Sequence, residues 1–128
     1  MVATSIEQSK KLVELGIDPS TADMSYRPYR EEGGISDYEL DLCPYKFASW
    51  IGYPAWSLSA LFKLLPKIEN IPPALIQGNV TNDWYVWYED TYDTQTYSNP
   101  IDAVVEAIEH IFREKNYNKY QYGNKRNM

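Results

Sequence analysis

The chain has one cysteine, Cys43, and one histidine, His110, among 128 residues. A single thiol excludes an internal disulfide, and with one imidazole it cannot assemble a Cys/His zinc site. No stretch stays apolar for the length a bilayer demands, so no membrane partner is expected. The N-terminal MVATSIEQSKKLVEL lacks the basic-then-apolar order of a signal peptide, which makes cytoplasmic location the expectation. Phosphate-cradling GxGxxG and Walker loops are missing, as are HExxH and an EF-hand loop. No cofactor and no metal are therefore expected. Basic residues are absent from Ile68 to Phe112. Across the chain 12 Lys and Arg stand against 18 Asp and Glu, a net charge of −6, the wrong sign for a dedicated nucleic-acid binder.

What is abundant is aromatic. There are 12 Tyr and 4 Trp, and NDWYVWYEDTYDTQTY (82–97) concentrates them. Strand periodicity puts Trp84, Val86 and Tyr88 on one face and Tyr85, Trp87 and Glu89 on the other. Both faces are bulky, so one is expected under helices and the other against a partner, a neighbouring loop or a second chain. The length is that of one domain able to bury a core unaided. The expected boundaries are a single α+β domain over 1–114 and a polar, flexible tail over 115–128.

Three helices stand out. TSIEQSKKLVELG reads as a helix opened by a Thr4/Glu7 capping box and closed by Gly16, with Ile17 making the closing apolar contact. PAWSLSALFKLLP places Leu58, Leu61, Phe62 and Leu65 on one stripe, with Ser57 as N-cap and Pro66 as stop. In SNPIDAVVEAIEHIFREK, Asn99 caps, Pro100 takes the first turn, and Ile101, Val104, Val105, Ile108, Ile111 and Phe112 share a face.

Between the second and third helices, ALIQGNV and NDWYVWYED lie at hairpin distance, and TQTYS is expected to return as a third strand. Residues 18–53 are less readable. Tyr26, Pro28 and Tyr29 suggest extended chain, Gly33-Gly34 a turn, and ISDYELDLCPY either a half-buried strand or a loop. The sum is an α+β fold, a small antiparallel sheet (hairpin or three-stranded meander) packed against about three helices.

Candidate chemistry is sparse. His110, with Glu106 and Glu114 one turn away on either side, reads as a solvated histidine rather than an acid–base group. Cys43, between Leu42 and Pro44, suits packing better than nucleophilic attack. Glu89, Asp90 and Asp93 lie together but match no cation loop, and a solvated strand end explains them. Lys115, Lys119, Lys125 and Arg126, interleaved with Tyr117, Tyr120 and Tyr122, read as a solvated tail. No catalytic residue is assigned.

TSIEQSKKLVELGIDPSTADM, YPAWSLSALFKLLP, the aromatic strand and NPIDAVVEAIEHIF resemble segments of small proteins of no assigned function in Bacteroides-type genomes, often in phage or mobile-element regions. The resemblance spans most of the chain except residues 27–50 and the tail. It implies an intracellular accessory protein and carries no catalytic residue. Residues 74–112 also resemble, locally, HicB-type antitoxin domains in element order. The chain has DTYDT where those domains usually carry a Gly-rich loop, and its preceding part has no counterpart in them.

The expected function is thus a non-enzymatic interaction protein, bound to another protein or to itself through Tyr85, Trp87, Tyr88 and Glu89. An acidic nucleic-acid mimic or antitoxin-like regulator is one alternative. A small hydrolase using acidic residues and His110 is the other.

Overall fold

The computed structural model describes residues 2–31 and 34–126, with backbone alone at 30, 31, 35, 36 and 115–126. The fold is α+β, with three α-helices and two three-stranded antiparallel sheets. The first helix, α1, spans Ile6–Glu14. Its capping box is set one residue later than expected. The Ser5 hydroxyl accepts from the Gln8 N–H at 3.1 Å, and the Gln8 side chain accepts from the Ser5 N–H at 2.9 Å. Thr4 has another task. Fully buried, it meets the Ser9 hydroxyl at 2.8 Å and accepts from the Trp56 N–H at 3.1 Å, pinning the N-terminal segment to the middle of the chain. The C-terminal end is as read: Gly16 has φ +97°, and the N–H groups of Gly16 and Ile17 donate back to Val13 and Leu12.

Residues 24–55 form the first sheet, in the order β2-β1-β3, from β1 (Met24–Glu31), β2 (Gly34–Asp41) and β3 (Tyr53–Ala55). The strand reading of ISDYELDLCPY holds, and the chain before it is a full strand. Gly33, half of the expected turn, lies outside the described residues. Beyond Tyr26, β1 has no third strand. Pro28 supplies a reason: it lacks an N–H and fits β1 only with its nitrogen turned away from β2, where β3 would have to continue. Between Asp23 and Pro44, none of the described residues joins the main apolar core.

The second sheet has the order β4-β5-β6, from β4 (Ala74–Gln77), β5 (Trp84–Tyr88) and β6 (Tyr92–Asp93). The third strand comes earlier than TQTYS. At Thr94 the side-chain hydroxyl, not a backbone carbonyl, accepts the Val86 N–H at 2.9 Å, which interrupts the ladder. Tyr97 then rejoins β5 through a bridge to Trp84.

Helix α2 (Leu58–Phe62) is capped by Ser57, and α3 begins at Pro100 with Asn99 accepting from the Ile101 N–H at 2.9 Å. The backbone of α3 continues to Arg126, through the stretch expected to be a patternless tail. The core is the α3 stripe Ile101, Val104, Val105, Ile108 and Ile111, closed by Leu12, Trp56, Leu61, Val86 and Tyr88. Among the described residues no helix is long and apolar enough to cross a membrane.

Candidate functional site: an aromatic sheet face and an acidic groove

Alternation along β5 sorts its side chains as read. Val86 and Tyr88 are fully buried beneath α3, and Trp84 packs against the same core. On the opposite face Trp87 is 40% exposed and Tyr85 is partly buried. The pairings Ile76 with Tyr85 and Ala74 with Trp87 extend this outer face onto β4. None of these four residues contributes to the main core. Glu89, next on the same face, is exposed.

Tyr88 needs correction as a binding residue. Its parity turns it inward, and its hydroxyl donates to the Pro66 carbonyl at 2.8 Å. Burial pushes its phenol up to about 12. It anchors the sheet to the chain that follows α2, and a partner on the outer face would not meet its ring.

The turn after β5 carries the acids. Asp90 has φ +54°, a left-handed conformation that a non-glycine residue adopts at a cost. The Thr91 N–H closes the turn onto the Tyr88 carbonyl at 3.1 Å. Trp87, Asp90, Thr91 and Asp93 border a shallow depression of about 320 Å³. Asp90 and Asp93 are exposed, and residues 74–99 offer no Lys or Arg to neutralise them. Among the described residues no three His, Cys, Asp or Glu side chains form a metal cradle.

Sequence reasoning missed a second locus. Tyr92, at the end of the sheet, stacks flat on His110, with ring centroids 4.1 Å apart and planes 2° from parallel. His110 Nε2 also faces a Glu114 carboxylate oxygen at 3.5 Å. These rings border a groove of about 410 Å³ with Asp93, Gln95, Glu106, Glu109, Arg113 and Glu114. His110 is therefore half-shielded by an aromatic ring rather than freely solvated. The only signal available beforehand was its place on α3 beside acids. Its partner comes from a turn that no spacing rule connects to it.

Most carboxylates on α3 are already engaged. Glu106 accepts from the Gln95 N–H at 2.9 Å and from the Tyr97 hydroxyl at 2.8 Å. Asp102 accepts from the Gln8 amide at 2.8 Å, and Glu109 pairs with Arg113 at 3.7 Å. Burial, then the bond to Glu106, raises the Tyr97 phenol to about 12. Burial, then the Glu106 charge, does the same to Tyr92. These acids bind the 92–97 segment and α1 to α3 and do not form a free line of charge. Cys43 stands elsewhere, at the end of β2, where its carbonyl accepts from Ser25 at 2.8 Å.

A third feature is apolar. Leu42, Phe47 and Ile51, in the connection from β2 to β3, are 77%, 69% and 93% exposed. Nearby, the Trp50 indole N–H is buried without a hydrogen-bond partner among the described residues, while the Arg27 guanidinium lies 5.6 Å from that ring. No protein-family model matches the chain, and no curated protein or solved structure matches it.

Proposed function

We propose that the protein is a non-enzymatic interaction module that binds another protein through the outer face of β4 and β5. One observation carries this reading. Ile76, Tyr85 and Trp87 lie outside the core on a sheet whose other face packs into that core with α3. Trp and Tyr are common anchors at interfaces because they present large area at small entropic cost. The resemblance to accessory proteins of mobile elements agrees with a binding role. Phosphate mimicry is less favoured, because the α3 acids are consumed by internal partners.

The test is site-specific cross-linking in cells that naturally produce the chain. A photoreactive phenylalanine at position 87 should give a discrete protein adduct. The same group at Val80, 94% exposed on the hairpin tip, should give none. Equal, diffuse labelling at both positions would remove the reading.

A second reading is favoured by the groove at His110, which gathers an imidazole with four carboxylates. That set is able to perform general acid–base chemistry on a small substrate. Aryl ester, phosphate and glycoside substrates, compared between the wild type and His110→Ala, test it. Turnover that the variant abolishes would establish the reaction class, and equal background in both would dismiss it.

A further inference from the structure

We infer that the partner segment docking on this sheet face is basic, and that the depression beside Trp87 receives one of its Arg or Lys side chains. The inference rests on the binding role proposed above for the same face and adds the partner's chemistry.

Charge is the argument. The apolar patch of Ile76, Tyr85 and Trp87 is bordered at one end by Glu89, Asp90 and Asp93, all exposed. No ion pair engages any of the three among the described residues, and no basic residue occurs in the surrounding 74–99. Elsewhere some of the acids are paired. Arg27 pairs with Glu39 and approaches Asp41, and Arg113 pairs with Glu109. The described residues thus leave these three carboxylates without an ion pair, and Arg113, which borders the groove on the other side of Asp93, is engaged by Glu109.

A second copy docked through the same face is disfavoured. A two-fold contact would set the acidic rim of one copy against the opposite end of the other copy's patch, and residues 74–99 supply no Lys or Arg to meet it. Nucleic acid and an anionic membrane surface carry the same wrong sign. A cationic peptide segment meets every feature. Its apolar residues cover Ile76 and Tyr85. A guanidinium or ammonium group sits against the Trp87 ring, between Asp90 and Asp93, in a depression of about 320 Å³.

The experiment is a selection from a randomised peptide library displayed on phage. It is run against the intact wild-type chain, with Trp87→Ser as the counter-target. Circular dichroism first establishes that the variant is folded. Peptides that bind the wild type and not the variant should be enriched in Lys and Arg over the input library. One such peptide is then titrated by Trp fluorescence against the wild type and against the Glu89→Gln, Asp90→Asn, Asp93→Asn triple variant. Its affinity should fall about tenfold on neutralisation, since three rim pairs are each worth a fraction of a kcal/mol. It should also weaken as salt is added.

Trp87-dependent peptides without basic enrichment, or with unchanged affinity for the triple variant, would overturn the charge inference and leave the binding face standing. A library from which no Trp87-dependent peptide emerges would overturn the face as a peptide site, and the inference with it.

Discussion

Tyr88 offers a test of the face assignment that needs no partner. Its phenol is fully buried, donates to the Pro66 carbonyl and is raised from 10.0 to about 12 by burial. Above the unfolded pKa, the unfolded chain has released this proton while the folded chain still holds it. A folded pKa above the unfolded one therefore means stability that is complete below about pH 10 and lost as pH rises through about 12. The full loss is about 2.7 kcal/mol, two units at 1.36 kcal/mol each, and about half of it has occurred by about pH 11. Tyr88→Phe removes this titration together with the hydrogen bond, which contributes about 1 kcal/mol. Near pH 8 the variant should be less stable than the wild type by about 1 kcal/mol. Near pH 11 the gap should close, because the wild type has then lost about 1.4 kcal/mol that the variant never had. Tyr92 and Tyr97 titrate in both proteins and cancel in the difference. Urea unfolding at the two pH values gives the comparison. A gap that stays constant with pH would refute the argument, because it would mean that the Tyr88 phenol ionises alike in the folded and unfolded chains.

Other substitutions probe what holds the two loci in place. Gly52→Ala should prevent folding or cost upwards of about 3 kcal/mol in urea melts, since its Cβ would meet the Tyr26 carbonyl oxygen at 1.9 Å and backbone cannot yield cheaply. Glu106→Ala should cost about 1–3 kcal/mol, because the Gln95 N–H and the Tyr97 hydroxyl both lose their acceptor. Its Tyr97 phenol should also titrate lower than in the wild type, which ultraviolet absorbance reads directly. The turn between Ile68 and Ile71 places Glu69 at φ +50° and Asn70 at φ +69°. Replacing the pair with Asn-Gly, the preferred residues for two consecutive left-handed positions, should raise stability by about 0.5–1 kcal/mol in thermal unfolding.

The elements legible in the sequence are those whose apolar residues repeat against one core. Helix α3 is the clearest case, since every member of its stripe from Ile101 to Ile111 is buried. Strand β5 is another, because its alternation separates Val86 and Tyr88 from Tyr85 and Trp87. The β1–β2 hairpin is the counterexample. Its described residues stay outside the main core, and the alternation of half-buried Tyr38 and Leu40 with exposed Asp37 and Glu39 is too short to choose between strand and loop. Pro28 suggests extended chain, and it falls where β1 has no third strand beside it. At α1, Thr4/Glu7 and Ser5/Gln8 offer equally good capping boxes by spacing. Only the demand of the Trp56 N–H for a buried acceptor decides between them.

The candidate sites divide along the same line. Trp87 was legible because parity alone turns it outward. Tyr88 was misplaced as a partner contact because it stands between exposed Trp87 and exposed Glu89, whereas the face under α3 claims it. The His110 groove was not legible, since its geometry belongs to the turn after β5. With Asp90 held left-handed and Thr94 interrupting the ladder, the chain delivers Tyr92 flat onto His110. Asp93, next in sequence, borders both that groove and the depression beside Trp87. A single short turn therefore links the two loci. An occupant that reorganises it on the Trp87 side must also disturb the Tyr92–His110 stack on the other.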